Sequence, residues 1–369
     1  MNPKIIAFYL PQYHPIREND EWYGKGFTEW TNVAKAKPLF SGHIQPRIPA
    51  DLGFYDLRVD DVIREQVNLA KEAGITAFCY YHYWFGNGKL LLEKPLERLL
   101  SLKDIDFPFC MCWANHSWFK KNWNADTGLL NNDLLQKQLY PGDEDIEKHF
   151  NYLLPFFNDN RYLRIDGKPV FVLYSIKSIP QPLSFIDKWN QLAIENGLPG
   201  LYYISYTEKK EELFTEPYTF TDGTVLSLLK SITKSDSTKN WDKFSFKFRR
   251  IVSYIIKRPL LLYEYKDVMK KLLDPIEDTD RIIPEIVPNW DYTPRQGAGN
   301  LILKNSTPDL FAKHVSQALE LVKNKPENKQ IIFLKSWNEW GEGNYMEPDL
   351  TWGKGYIQAL RSTVEGFEH

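Results

Sequence analysis

An α/β barrel of the (β/α)8 TIM type, with long βα loops and an inserted basic helical segment, is the fold the sequence predicts, on three observations. Eight short, dense apolar runs follow one another along the chain, helix-like stretches separate most of them, and no glycine-rich nucleotide turn follows the first. The runs are Ile5 to Leu10, Ile75 to Tyr83, Phe109 to Trp113, Pro169 to Tyr174, Leu201 to Tyr206, Thr224 to Leu228, Ile282 to Val287 and Ile331 to Ser336. Runs rich in β-branched and aromatic residues that do not alternate with polar ones suit strands buried on both faces, as a parallel sheet requires. Helix-like stretches precede the second run (Arg58 to Ala73), the fourth (Glu144 to Asn158), the fifth (Leu183 to Asn196) and the eighth (Thr307 to Lys323). A doubly wound open sheet shares this alternation, but it normally carries a glycine-rich loop after its first strand. Here Tyr9 leads instead into Pro11-Gln12-Tyr13-His14-Pro15 and a long aromatic loop through Trp22 and Trp30, suited to covering one mouth of a barrel. Thr221-Asp222-Gly223 reads as a turn, which leaves the sixth run short.

The 369 residues fit one barrel domain over 1–369, with an insert at about 229–275. A hydrophobic fraction of 43% and a charged fraction of 25% are those of a globular chain, and no uncharged apolar stretch is long enough to span a bilayer. The opening MNPKIIAFYLPQYH enters a strand-like run at Ile5, leaving no room for an export signal, so the expected location is cytoplasmic. Cys79, Cys110 and Cys112 fall inside apolar runs, as reduced core thiols do, rather than in a disulfide or zinc pattern. A net charge of −2 points to no nucleic-acid partner. Residues 230–271 depart from that balance, with 12 Lys plus Arg against 4 Asp plus Glu, a local +8 that leaves about −10 for the rest. That segment reads either as a solvated helix pair or as a contact surface for an anionic membrane or an acidic glycan. Aromatic residues make up 15% of the chain, more than a core needs, and aromatic faces are what sugar rings stack on.

The eighth run passes directly into Ser336-Trp337-Asn338-Glu339-Trp340-Gly341-Glu342-Gly343-Asn344-Tyr345-Met346-Glu347. In these barrels the reacting groups sit at the C-terminal ends of strands, which makes Glu339 and Glu342 the candidate catalytic pair. Trp337 and Trp340 flank the first acid, and a carboxyl packed against indole is disfavoured in its charged form. Two carboxylates of unlike protonation are what glycosidic bond cleavage requires, one to protonate the leaving oxygen and the other to act as base or nucleophile. The neighbourhood lacks the His or Asp cluster that a metal would recruit, and no cofactor is implied.

Other strand ends supply candidate substrate-binding residues. Tyr80, His82 and Trp84 come from the second run; Trp113, Asn115 and Trp118 from the third; Trp290, Asp291 and Arg295 from the seventh. Alternation along a strand makes Tyr80, His82 and Trp84 one set and Tyr81 with Tyr83 the other; the first is expected to face the lumen, with His82 as a satisfied core histidine the rival reading. Tyr9, Gln12 and Trp30 join from the first strand end and the loop after it, and Asn338, Trp340 and Glu347 from the acid turn.

Five segments together resemble one family across the whole chain. They are Ala7-Phe8-Tyr9-Leu10-Pro11-Gln12-Tyr13-His14, Gly26-Phe27-Thr28-Glu29-Trp30-Thr31-Asn32-Val33, Phe78-Cys79-Tyr80-Tyr81-His82-Tyr83-Trp84-Phe85, Cys112-Trp113-Ala114-Asn115 and Trp337-Asn338-Glu339-Trp340. The chain is similar to WbsX-type proteins of lipopolysaccharide biosynthesis, described as glycosyltransferases and related to glycoside hydrolase family 99. The resemblance implies an acid-Trp-x-acid-Gly segment with a further Glu downstream, which Glu339-Trp340-Gly341-Glu342-Gly343 and Glu347 reproduce. It also implies a retaining route in which Glu339 deprotonates the sugar 2-hydroxyl, giving a 1,2-anhydro sugar, while Glu342 is the acid/base. Gly341 stands where the hydrolase relatives often carry His, so their specificity does not transfer.

The expected function is a retaining glycoside hydrolase or transglycosylase acting on a bacterial surface polysaccharide of O-antigen or capsule type. One rival is a nucleotide-sugar glycosyltransferase, against which stands the absence of a DxD-like acid pair and of a nucleotide-binding glycine turn. The other is a non-catalytic glycan-binding barrel.

Overall fold

In the computed structural model, which describes residues 2–124, 129–229, 231 and 240–367, all eight runs form strands. They are β1 (Lys4–Tyr9), β2 (Ala77–Trp84), β3 (Phe109–Trp113), β4 (Lys168–Leu173), β5 (Tyr202–Thr207), β6 (Gly223–Leu226), β7 (Ile282–Ile286) and β8 (Ile331–Leu334). Each pairs in parallel with the next, and β1 pairs with both β2 and β8, so the sheet closes. Parallel pairing demands a crossover between strands, and closure covers one face of every strand with its neighbours' side chains and the other with helices. That double burial is why the runs are dense: every residue of Ala77–Trp84 and of Phe109–Trp113 is buried.

The crossover helices include α1 (Asp60–Ala73), α2 (Lys94–Ser101), α3 (Asp143–Phe157), α4 (Pro182–Glu195) and α5 (Pro308–Val322), and α6 (Gly355–Glu365) follows the last strand. In α5, Thr307 caps the N-terminus by accepting from the Leu310 amide at 3.3 Å, and Pro308 follows at the first helical position, where its missing N–H costs nothing. The β5-to-β6 connection departs from the pattern, with only 3-10 turns at Lys210–Glu212 and Tyr218–Phe220. The barrel interior is aromatic. Phe8 lies 5.4 Å from Tyr81 with planes 2° apart, and Tyr206 stacks on Tyr174 at 4.8 Å.

Loops enlarge the C-terminal end of the barrel. After β1 come the short helices Arg17–Tyr23 and Glu29–Lys35, and after β3 an antiparallel hairpin pairs Trp118–Asn124 with Leu129–Gln136. Of the basic segment 230–271, residues 230 and 232–239 lie outside the described residues; the rest includes a helix at Asn240–Ile256. Cys79, Cys110 and Cys112 are buried and free. Among the described residues no helix is long and apolar enough to cross a membrane.

Candidate active site

Directly beyond β8 the chain makes a tight, heavily bonded turn. Asn338 Oδ1 accepts from the Leu10 amide at 2.7 Å while its Nδ2 donates to the Leu10 carbonyl at 3.1 Å, which ties the turn to the end of β1. The Ser336 hydroxyl accepts from the Glu339 amide at 2.9 Å and donates to the Asn344 carbonyl at 2.8 Å. The Asp291 amide donates to the Glu342 carbonyl at 2.7 Å, adding the end of β7 to the same clamp. Gly343 takes φ +61°, and a Cβ there would stand 2.8 Å from the Asp291 Cβ, so only glycine lets the two loops meet. Backbone bonding on three sides fixes where both acids point.

They point into a cavity of about 1310 Å³ at the C-terminal ends of the strands. Its wall includes Glu339, Glu342 and Arg295, the rings of Tyr81, Tyr83, Trp118, Tyr174, Trp290 and Tyr292, and the polar side chains of Gln12, Asn115 and Lys335. Arg295 organises the charge. Its Nε donates to Glu29 Oε2 at 2.9 Å, its Nη1 to Glu342 Oε1, and its Nη2 lies 3.7 Å from Glu339 Oε1. One guanidinium thus faces three buried carboxylates. Burial, followed by the neighbouring Glu342, raises the Glu339 pKa to about 8, against the opposing pull of Arg295 and Lys335. Lys335, whose ammonium donates to the Tyr206 hydroxyl at 2.6 Å and lies 3.9 Å from Glu285, is a second buried cation on the wall. Among the described residues no cluster of His, Cys, Asp and Glu is disposed to hold a metal ion.

The residues singled out from the sequence divide into two groups. Gln12, Asn115, Trp118, Trp290, Arg295, Glu339 and Glu342 line the cavity; Tyr9, Trp30, Tyr80, His82, Trp84, Trp113, Asp291, Asn338, Trp340 and Glu347 do not. The expected register of β2 is corrected: Tyr81 and Tyr83 face the lumen, and Tyr80, His82 and Trp84 face the helices, because Tyr81 lies in the interior layer against Phe8. His82 is bonded to His149 of α3 at 2.8 Å, and burial lowers its pKa to about 3, so it is a neutral core histidine. Trp84 donates to Asp145 at 3.0 Å and Trp113 to the Trp84 carbonyl at 2.9 Å, both on the helix side. Tyr80 packs on Tyr9, whose hydroxyl donates to Gln66 at 2.7 Å.

The remaining residues brace the turn from behind. Trp30 donates to the Tyr55 carbonyl at 2.7 Å, and Asp291 accepts from Gln45 at 2.7 Å and is bonded to His43 at 2.8 Å. The indoles expected beside Glu339 turn away from it: Trp340 stacks on Tyr345 at 3.7 Å and donates to Glu347 at 2.7 Å, while Trp337 packs on Phe78. Burial and the charge of Glu342, not indole contact, therefore hold Glu339 above the carboxylate range.

Glu29 was not among the candidates, although it lies inside the Gly26-to-Val33 segment. It lines the cavity, and a Cβ on Gly341 would fall 2.0 Å from its Oε2 and 3.0 Å from Arg295 Nε. The absence of a side chain at 341 thus has a physical counterpart, since the Glu29–Arg295 pair fills that space.

Comparison with known proteins matches this architecture. The model of the glycosyltransferase WbsX family matches residues 5–360. An uncharacterized protein, WxcX, from Xanthomonas campestris pv. campestris (strain B100) is 35% identical over 98% of this chain, which spans about half (49%) of that relative's length. Among solved structures, the family 99 endo-α-mannosidase from Bacteroides thetaiotaomicron, in complex with bis-tris propane, is similar with a TM-score of 0.59 at 15% identity, covering 98% of this chain and 96% of that one. A glycoside hydrolase-like protein is similar with a TM-score of 0.58 at 15% identity, covering 98% and 94%. At these identities the structural likeness speaks for the fold.

Proposed function

The chain belongs to the glycosyltransferase WbsX family, and from that premise we propose that this carbohydrate-active enzyme is a retaining glycoside hydrolase or transglycosylase acting through Glu339 and Glu342 on a bacterial surface polysaccharide. One observation carries the reading: two buried carboxylates share a single guanidinium in a ring-lined cavity of about 1310 Å³, wide enough for several sugar units. Arg295 bonds directly to Glu342 and only approaches Glu339, so the positive charge sits closer to Glu342 and, of the two, Glu339 is the better placed to hold a proton. These electrostatics favour the reverse of the roles the resemblance implies. Glu339 donates its proton to the leaving glycosidic oxygen as the C1–O bond breaks. As it does, C1 bonds either to a Glu342 carboxylate oxygen or to the sugar's own 2-oxygen, whose proton Glu342 takes; water or a sugar hydroxyl then displaces that bond at C1 and gives its proton to Glu339, and in the second route Glu342 returns its proton to the 2-oxygen. Arg295 holds Glu342 in place, and the rings of Tyr83 and Trp118 offer stacking faces for sugar rings.

Release of reducing ends from purified surface polysaccharide tests the reaction. Wild type is expected to release them and Glu342→Ala to lose about 10²–10⁴-fold. The roles separate on aryl glycosides with activated leaving groups, which need no acid: Glu339→Ala keeps substantial activity on these and Glu342→Ala does not. The opposite pattern would restore the division the resemblance implies. The family's description favours a second reading, sugar transfer from a nucleotide donor, and calorimetry with nucleotide sugars separates the two: binding supports transfer. A glycan bound equally by wild type and Glu339→Gln, turned over by neither, would leave a binding barrel.

A further inference from the structure

The helix Asn240–Ile256, in the long connection after β6, has two unlike sides. One side belongs to the barrel. Arg250 lines the cavity, Ser253 is buried and accepts from the Leu260 amide at 3.0 Å, and the Tyr254 ring lies where a Cβ on Gly299 would be 2.1 Å away. At 3.6 residues per turn, Phe248, Ile251 and Ile255 fall on the opposite side. They are 57%, 44% and 65% exposed, and Ile256 beside them is 47% exposed. Contiguous exposed isoleucines on one helix face, away from the core the other face serves, mark an interaction surface. Lys257 and Arg258, both exposed, follow directly after the helix, within the segment that carries 12 basic against 4 acidic residues.

We propose that this outer face, Phe248, Ile251, Ile255 and Ile256 with Lys257 and Arg258, docks on an anionic membrane and sets the cavity mouth beside the bilayer. An apolar stripe flanked by Lys and Arg is the composition of helices that lie in the plane of a lipid interface, the side chains entering the acyl boundary and the cations meeting the headgroups. Charge chooses among occupants. A second copy would bring a +8 segment against another, a nucleic acid or an acidic glycan leaves the isoleucines wet, and an anionic lipid surface satisfies both halves of the face. Because Arg250 lines the cavity from the same helix, docking places the glycan site within reach of a substrate anchored in that membrane. The proposal holds whichever glycosyl reaction the cavity performs.

Flotation of the 369-residue chain with vesicles tests it, using phosphatidylcholine alone and phosphatidylcholine mixed with phosphatidylglycerol. Binding is expected only to the anionic vesicles, to weaken with added salt, and to fall about tenfold or more in Ile251→Asp/Ile255→Asp. Lys257→Glu/Arg258→Glu, which alters only exposed side chains and so leaves folding intact, should also lose binding and with it the salt dependence. Three results would overturn the proposal: no flotation with anionic vesicles, equal flotation of wild type and both variants, or self-association by light scattering that Ile251→Asp/Ile255→Asp abolishes.

Discussion

Glu339 and Glu347 leave the same turn, are both buried, and are both held above the ordinary carboxylate range by burial, yet they keep different company. Glu347 accepts from Trp340 Nε1 at 2.7 Å, Gln66 Nε2 at 2.6 Å and the Tyr55 hydroxyl at 3.0 Å, all from side chains sealed behind the turn. Its pKa is raised only to about 7 because those donors oppose the burial. Glu339 has one guanidinium at 3.7 Å, a like charge beside it, and the cavity in front. A carboxyl whose donors all come from the protein is scaffold; one whose capacity is left open toward a cavity is available for a ligand.

Substitution should pull the two apart, and the largest effect is expected on the cavity side. Glu339→Gln is expected to lower turnover of the native glycan by about 10²–10⁴-fold without lowering the melting temperature. Glu347→Ala should do the opposite. Three buried donors lose their acceptor, so stability should fall by about 2–4 kcal/mol in denaturant titration, with kcat of the folded fraction changed far less. Equal loss of activity in both variants would dissolve the distinction.

Gly341→Ala sharpens the comparison by disturbing only the cavity side. Its Cβ would overlap Glu29 Oε2 at 2.0 Å, so Glu29 must release Arg295. A loss of about tenfold or more in kcat is expected, since an ångström-scale shift of a positioning group has that scale of consequence. Glu29→Gln keeps the shape and weakens the charge, so the double variant with Gly341→Ala should lose little beyond Gly341→Ala alone.

Most of the barrel was legible in the sequence because burial on both faces writes itself as density, and each of the eight runs became a strand. The acid turn was legible for a similar reason: acids and glycines directly after a buried strand have one place to go. The facing of β2 was not, because Ala77–Trp84 is buried throughout and alternation names two sets without ranking them. The partner that makes His82 a core residue, His149, lies 67 positions away. Glu29 and Arg295 are 266 positions apart, and no local pattern announces that one guanidinium will join the helix after β1, the loop after β7 and the turn after β8.

The pH dependence gives a smaller but directional test. A carboxyl whose folded pKa lies above its unfolded value contributes stability that is fully present below the unfolded pKa and is lost as pH rises through the folded one. Glu339, near 8, and Glu347, near 7, should therefore make the protein less stable between roughly pH 4.5 and pH 8. Glu347→Gln should lessen that decline below about pH 7, and Glu339→Gln should lessen it there and abolish it between about pH 7 and 8. With Glu339 as the acid, kcat/KM should fall about tenfold per pH unit above roughly 8. A flat profile through pH 9 would remove Glu339 from that role.

The smallest expected effect lies on the ring wall. Trp118 lines the cavity and meets Tyr83 edge-on, with centroids 4.9 Å apart and planes at 81°. Trp84, on the neighbouring strand end, is equally aromatic but stacks on His149 at 4.7 Å on the helix side. Stacking on a sugar face contributes about 0.5–1.5 kcal/mol, so Trp118→Ala should raise KM roughly two- to tenfold with kcat little changed. Trp84→Phe, which keeps an aromatic ring but loses the bond to Asp145 and part of the buried indole, should leave KM alone and lower the melting temperature. If KM responds to Trp84 and not to Trp118, the sugar lies on the other side of the wall, and the division between cavity and scaffold drawn from Glu339 and Glu347 does not extend to the aromatic residues.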